Sequence, residues 1–127
     1  MIVLDSSGWI EFFADGPHGD EFASRLRQPA TVLTPTIAIY EVYKWLKRER
    51  AEEEALQAVA TMKKTKVVDL TEELALTAAD LSLAHNLAMA DAMMLAAARA
   101  HNAELLTTDS GFDGLSGVTV FSKKQPK

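Results

Sequence analysis

Four carboxylates in this chain occur where an apolar stretch begins or ends. Asp5 closes the opening run Met-Ile-Val-Leu, and Glu41 interrupts Ile-Ala-Ile-Tyr. Asp91 is the single charge in a segment of Ala and Met, and Asp109 follows Leu-Leu-Thr-Thr. If the fold gathers them, each pair about 5 Å apart repels by about 3 kcal/mol at an effective dielectric constant of about 20, so a cation is required. Carboxylate oxygens suit Mg²⁺, with Mn²⁺ close behind, and the four residues are therefore candidate metal ligands.

Each carboxylate also has a local explanation, and these alternatives stay open at the level of sequence. Asp5 can cap a helix after the first strand, and Glu41 can form an i,i+3 ion pair with Lys44. The first turn of a helix favours a negative group such as Asp91 by about 0.3–1 kcal/mol, which is little compensation for burial. Asp109 begins the turn-forming sequence Asp-Ser-Gly. The combined arrangement, more than any single residue, indicates a metal site.

Composition limits the class of protein. The chain has 127 residues, 48% of them hydrophobic, which fits a single domain over residues 1–127. It has no cysteine, which excludes disulfides, thiolate nucleophiles and cysteine-based zinc sites. The N-terminus lacks a secretory signal pattern, and no apolar run approaches the length of about 18–20 residues that crosses a bilayer. We therefore expect a cytoplasmic protein with no membrane association.

The formal net charge of −5 is unusual for a nucleic-acid-binding protein, since phosphate recognition leaves a basic footprint. Setting the four candidate ligands aside leaves −1, and the basic residues are clustered. The clusters are Lys44, Lys47, Arg48 and Arg50; Lys63, Lys64 and Lys66; and Lys123, Lys124 and Lys127. Each cluster is more often a solvated face than a binding patch.

Short apolar runs alternate with longer amphipathic segments, which predicts an α/β fold with a small, mostly parallel sheet. The predicted strands are residues 2–4, 31–33, 67–69, 104–106 and 118–121. The predicted helices are two short ones around residues 9–13 and 22–26, followed by residues 34–48, 51–62, 71–85 and 89–100. Thr34 is the expected N-cap of the third helix, with Pro35 in its first turn. The last helix is apolar on nearly every side and should be buried.

The chain resembles the PIN-domain ribonucleases, and within them the VapC-like toxins of type II toxin–antitoxin pairs. The resemblance extends from end to end. It rests on the first strand ending in Asp-Ser-Ser, the helix with Glu41, the segment Ala-Asp-Ala-Met-Met-Leu-Ala-Ala-Ala around Asp91, and Leu-Leu-Thr-Thr-Asp-Ser-Gly-Phe around Asp109. One such motif alone would be weak evidence for the family, but four in the same order and spacing are fairly specific to it.

This resemblance implies a sheet with helices on both faces and an acidic pocket that binds Mg²⁺ or Mn²⁺. By motif position, the resemblance assigns Asp5, Glu41, Asp91 and Asp109 as the metal ligands and catalytic residues. Asp113 could supplement or replace Asp109, because family members vary most at the fourth acidic position. Ser6 and Thr107 match hydroxyl positions beside the site, where they would orient ligands or a water molecule.

The implied activity is metal-dependent endoribonuclease cleavage by a toxin. One or two metal ions would activate water and stabilise the leaving oxygen, so no protein nucleophile is required. His18, His85 and His101 receive no catalytic role. The RNA groove is expected to include some of Lys44, Lys47 and Arg48, and the implied partners are a second copy of the chain and a VapB-like antitoxin.

Two other functions remain as alternatives. A receiver-type signalling domain is also a short α/β domain with an acidic pocket, and it would use Asp69 as phosphoacceptor, Thr107 or Thr108 as hydroxyl and Lys123 as lysine. The spacing is awkward, because a receiver expects an acidic pair after the first strand and Asp5 is followed by serines. A catalytically silent PIN scaffold that only binds is the second alternative, although four retained acidic residues argue against it.

Overall fold

The computed structural model describes residues 1–121. This part of the chain has five strands and six α-helices, with two helices after each of the first three strands. The strands are β1 (Ile2–Leu4), β2 (Val32–Pro35), β3 (Lys66–Val68), β4 (Glu104–Thr107) and β5 (Val118–Val120). The helices are α1 (Ser6–Phe13), α2 (Gly19–Arg25), α3 (Thr36–Glu49), α4 (Glu52–Met62), α5 (Glu72–His85) and α6 (Met89–Ala100). Single-turn 3₁₀ helices span Pro29–Thr31 and Ser110–Phe112.

The five strands form one sheet in the order β3-β2-β1-β4-β5, and every pair is parallel. β1 therefore lies at the centre, paired with β2 on one side and β4 on the other. The chain moves outward from β1 to β3 and then returns to the opposite side of β1, so the strand order reverses between β1 and β4. In open α/β sheets, ligands bind at the carboxyl ends of the strands at this reversal. The predicted α/β fold, with a small parallel sheet and helices on both faces, is confirmed.

Apolar side chains of the central strands and helices form the core. Trp9, Phe22 and Phe112 are fully buried together with Leu4 of β1 and Leu105 of β4. Helix α6 is buried over most of its length, as its composition predicts, and its bounds match the predicted ones. Among residues 1–121 no single helix is long and apolar enough to span a membrane; α5 and α6 meet that test only as a pair, across a bend of 115°.

The first two helices begin three residues before their predicted ranges, at Ser6 and Gly19, and the structure also corrects the start of the third helix. Thr34 is the third residue of β2 and not a helix cap, while Pro35 occupies the N-cap position of α3. The reason is a tertiary contact, since the buried Thr34 hydroxyl is hydrogen-bonded to that of Thr65 beside the next strand. Thr71 does cap α5, where its Oγ1 accepts a hydrogen bond from the Leu74 amide at 3.2 Å. The predicted basic cluster of Lys123, Lys124 and Lys127 lies outside the described residues.

Candidate active site

A cavity of about 430 Å³ lies at the carboxyl ends of β1 and β4, and all four predicted carboxylates line it. Asp5 directly follows β1, and Asp109 lies two residues beyond β4. Glu41 comes from the second turn of α3, and Asp91 lies in the first turn of α6. Four elements that are distant in sequence thus bring one acidic side chain each to the strand reversal.

Asp5 is the most deeply buried of the four, with 2% of its surface exposed. Its Oδ2 accepts hydrogen bonds from Thr107 Oγ1 at 2.7 Å and Ser7 Oγ at 3.0 Å. Its Oδ1 has no hydrogen-bond partner among the residues that the structure describes. Burial raises the pKa of Asp5, while the bonds from Thr107 and Ser7 oppose that rise. Asp5 occupies the N-cap position of α1 but makes no side-chain cap bond, so helix capping does not explain it.

Two hydroxyl groups fix Asp5 to the neighbouring strand. Thr107 Oγ1, besides donating to Asp5, accepts a hydrogen bond from the Asp109 amide at 3.0 Å. Ser7 Oγ accepts one from the Thr108 amide at 3.0 Å and lies 3.2 Å from Thr107 Oγ1. These bonds tie the start of α1 to the end of β4. Thr107 is therefore placed where the family resemblance implied, whereas the contribution of Ser7 was not predicted.

Glu41 has a hydroxyl partner instead of a cationic one. Ser6 Oγ donates a hydrogen bond of 2.7 Å to Glu41 Oε1, which places Ser6 beside the site as predicted. The alternative ion pair between Glu41 and Lys44 is not formed in the described chain. Lys44 Nζ lies 3.4 Å from the Tyr40 hydroxyl, and its charge lies over the Tyr40 ring. The Glu41 carboxylate therefore remains available at the cavity wall.

Asp91 shows how strongly the carboxylates affect one another. Burial, the negative charges of Asp5 and Asp109, a hydrogen bond with Asp109 and the charge of Glu41 together raise the pKa of Asp91 to about 7. A carboxyl group in such surroundings holds a proton unless a cation compensates the charge. Asp109 also has its predicted turn role, since its Oδ1 accepts a hydrogen bond from the Gly111 amide at 2.8 Å.

The four carboxylates line the cavity without closing around a single point. Within residues 1–121, no three acidic or histidine side chains are close enough to ligate one ion together. The donor set nevertheless fits a hard divalent cation, because it consists of carboxylate oxygens and includes a buried Asp5 Oδ1 with no partner in the described chain. A cation that retains part of its water shell suits this arrangement.

Other candidate residues lie elsewhere. Asp113 is exposed at the end of the second 3₁₀ helix and is not part of the cavity lining. Asp69 is exposed beyond the edge strand β3, so the acidic pocket that a receiver-type domain requires around it is not formed there. His85 and His101 are exposed, and the His18 ring contacts the Phe121 ring with 5.7 Å between centroids.

Sequence reasoning missed a fifth carboxylate in this cavity. Glu11 lies on α1 with only 9% of its surface exposed, and it lines the cavity together with the four predicted residues. The available signal was helical spacing, since Glu11 is four residues after Ser7 and therefore on the same face of α1. Its position between Ile10 and Phe12, two partly buried apolar residues, hid that signal.

A second cavity, of about 230 Å³, adjoins the acidic one. Both are lined by Ser6, Ile10, Glu41 and Trp45, and the second is also lined by Tyr40, Lys44 and Arg48. Lys44 and Arg48, two of the three basic residues predicted to line an RNA groove, thus line this cavity. Lys47 does not line this cavity, and its Nζ lies over the Tyr43 ring instead.

Comparison with known proteins was made by sequence and by structure. The family model of the PIN domain matches residues 2–118. A search of curated protein sequences gave no significant match.

Several solved structures share the fold across nearly the whole chain. A toxin–antitoxin complex from Klebsiella pneumoniae matches with a TM-score of 0.80 and 20% identity, covering 99% of this chain and 100% of that one. VapC20 of Mycobacterium tuberculosis, a Sarcin-Ricin loop cleaving toxin, matches with a TM-score of 0.75 and 21% identity over the same shares of the two chains. A DNA-bound VapBC complex from Salmonella typhimurium matches with a TM-score of 0.74 and 16% identity, covering 98% of this chain and 100% of that one.

Proposed function

The chain belongs to the PIN-domain family, and on this premise we propose that it is a Mg²⁺- or Mn²⁺-dependent endoribonuclease acting as the toxin of a toxin–antitoxin pair. The observation that carries the proposal is the buried Asp5, whose Oδ1 has no partner among residues 1–121, in a cavity that also holds Glu41, Asp91 and Asp109. A structural carboxylate at this depth would have its oxygens satisfied by the protein. An unsatisfied one supports a role toward a cation and its substrate.

Asp5, Glu41, Asp91 and Asp109 would hold the cation, some directly and others through water. When bound, the cation would activate water for attack on the RNA phosphodiester and stabilise charge on the leaving oxygen. Thr107 and Ser7 hold the Asp5 carboxylate in one orientation. Asp91 would release its proton as the cation loads, because the positive charge replaces the proton as the compensating group.

The adjoining cavity supports binding of the RNA backbone next to the acidic site. Lys44 and Arg48 place two positive charges on its wall, and Tyr40 and Trp45 provide ring surfaces on which a base can stack. Tyr40 is 58% exposed, so its ring is accessible. RNA would pass from this cavity to the acidic one across their shared residues, Ser6 and Glu41.

The proposed partners are a VapB-like antitoxin and a second copy of the chain. Known toxin–antitoxin complexes share this fold, and an antitoxin segment with a basic side chain complements the acidic cavity by charge. Leu76 and Leu83, seven residues apart on α5, are 62% and 87% exposed, and Met89 at the start of α6 is 68% exposed. These three apolar side chains support a dimer contact at this face. The proposal also takes the chain to be a single domain that acts in the cytoplasm.

The test is cleavage of structured and single-stranded RNAs by the purified protein in Mg²⁺ or Mn²⁺. We expect cleavage that EDTA abolishes and that Asp5→Asn and Asp91→Asn each reduce by at least about a hundredfold. An exposed matched control, Asp113→Asn, should retain activity. Equal cleavage by all variants would indicate a contaminating nuclease, and no cleavage of any RNA by the folded protein would favour the catalytically silent PIN scaffold.

A further inference from the structure

Glu11 is a buried carboxylate that the proposed reaction does not yet use. It is 9% exposed, and its Oε2 has no hydrogen-bond partner in the described part of the chain. Neither of the ion pairs formed within residues 1–121 includes it. A buried charge without a partner is costly, so a group outside the protein is the expected compensation.

The chain folds back over this carboxylate. The Gly16 amide donates a hydrogen bond of 2.8 Å to the Glu11 carbonyl, which returns the loop after α1 to its own helix. A Cβ atom on Gly16 would lie 1.7 Å from Glu11 Oε2, a distance that no real contact allows. Glycine therefore permits the backbone to close against the carboxylate, and both residues line the acidic cavity. The Glu11 carboxylate is held in place at one end of that cavity.

The charge of the cavity indicates what Glu11 binds. Five carboxylates line it, and no Lys, Arg or His does so within the described residues. No three acidic side chains in residues 1–121 come close enough to ligate an ion together, whereas about 430 Å³ is ample for an ion and several waters. Mg²⁺ loses its waters reluctantly and commonly keeps several of them in protein sites. Carboxylates beyond direct reach of the ion can then accept hydrogen bonds from those waters.

We propose that Glu11 is a fifth carboxylate of the cation site, a positioning residue whose carboxylate accepts a hydrogen bond from the water shell of the divalent cation. The inference rests on the proposed metal-dependent function and adds a residue that the four-carboxylate motif does not contain. Three observations carry it: the burial of Glu11, the absence of a partner for its Oε2 in the described chain, and its place in the cavity wall.

The experiment counts Mn²⁺ bound to the full chain by electron paramagnetic resonance of the free ion, without RNA. We expect Glu11→Gln to weaken Mn²⁺ binding by about 10- to 100-fold, the usual effect of removing a residue that orients bound water. Gly16→Ala, which displaces the same carboxylate without removing it, should weaken binding in the same direction. Glu21→Gln, an exposed change on α2, is the matched control and should leave the affinity unaltered.

Thermal unfolding in EDTA separates this role from a structural one. If Glu11 serves the cation, Glu11→Gln removes an uncompensated charge, so the metal-free protein should be equally stable or more stable while its stabilisation by Mn²⁺ declines. Loss of metal-free stability with unchanged Mn²⁺ affinity would overturn the inference. Failure of the proposed function is distinguishable, because then the wild-type chain binds no Mn²⁺ or Asp5→Asn binds it equally well.

Discussion

Two adjacent threonines in the site offer a matched pair of substitutions. Thr107 and Thr108 are both buried, with 0% and 4% of their surfaces exposed. Thr107 Oγ1 donates to Asp5 and accepts from the Asp109 amide, whereas Thr108 Oγ1 has no partner among residues 1–121. Valine has nearly the shape of threonine but lacks the hydroxyl, so Thr107→Val and Thr108→Val remove hydrogen-bonding capacity at similar packing volume.

The two changes should differ by several kcal/mol. A hydrogen bond to a charged group contributes about 1.5–3 kcal/mol, and a buried donor left without its acceptor costs about 1–3 kcal/mol. Thr107→Val loses the bond to Asp5 and leaves the Asp109 amide without its acceptor, so we expect a loss of about 2–4 kcal/mol in the free energy of unfolding. Thr108→Val removes a buried hydroxyl that has no partner in the described chain, so we expect a change within about 1 kcal/mol or a small gain.

Urea denaturation in EDTA measures both values, and a melting curve should show Thr107→Val about 8–16 °C below the wild type. Repeating the measurement with Mn²⁺ tests the site itself. Thr107→Val should also weaken Mn²⁺ binding by about 10- to 100-fold, since Asp5 loses the group that orients it. Equal effects of the two substitutions, or a larger loss from Thr108→Val, would refute the assignment of Thr107 as the partner of Asp5.

Three further predictions concern charge and assembly. Asp91 keeps its proton in the folded protein up to about pH 7, whereas its ordinary pKa is 3.8. Between these pH values the folded state thus binds more protons than the unfolded state, so the free energy of unfolding of the metal-free protein should fall as pH rises from about 4 to 7. Urea denaturation in EDTA measures this dependence, and Asp91→Asn should make it flatter. The double variant Lys44→Glu, Arg48→Glu should weaken RNA binding at least about tenfold in a filter-binding assay and leave Mn²⁺ binding unchanged. Lys47 does not line the cavity, so Lys47→Glu should weaken RNA binding less. Leu83→Glu should convert a dimer to monomer in light scattering, and an unchanged mass would reject the α5 contact.

Much of the fold could be predicted because local sequence and tertiary packing agree. Helix α6 begins and ends where its Ala- and Met-rich segment does, since a helix buried on most sides is apolar throughout. Thr71 caps α5 by a local rule, since a threonine directly before a helix commonly accepts a hydrogen bond from an amide of the first turn. Thr34 shows the limit of local rules. It is also a threonine just before a helix, but its hydroxyl is hydrogen-bonded to the buried hydroxyl of Thr65, and the residue lies in β2.

The site could be predicted only in part, for a related reason. Asp5, Asp91 and Asp109 are conspicuous because each is an acidic residue at the edge of an apolar element, where burial of a charge needs an explanation. Glu11 lies between the apolar residues Ile10 and Phe12 in α1, and the loop that closes at Gly16 packs against its carboxylate. Ser7 bonds to Asp5 nearby, but it also contacts Thr107 and Thr108, about a hundred positions away, and no local pattern reveals those contacts.

The hydrogen bonds that organise the cavity come from neutral groups, and this bears on how the site would be regulated. Asp5 and Glu41 are oriented by hydroxyls of Ser6, Ser7 and Thr107, which fix geometry without neutralising charge. No cation of the chain therefore neutralises Asp5 or Glu41, and both keep their attraction for any cation that enters. A divalent ion and a basic side chain of an antitoxin would then compete for the same negative charge. Raising Mn²⁺ should accordingly weaken antitoxin binding if a basic side chain occupies the cavity, and leave it unchanged if the antitoxin binds elsewhere.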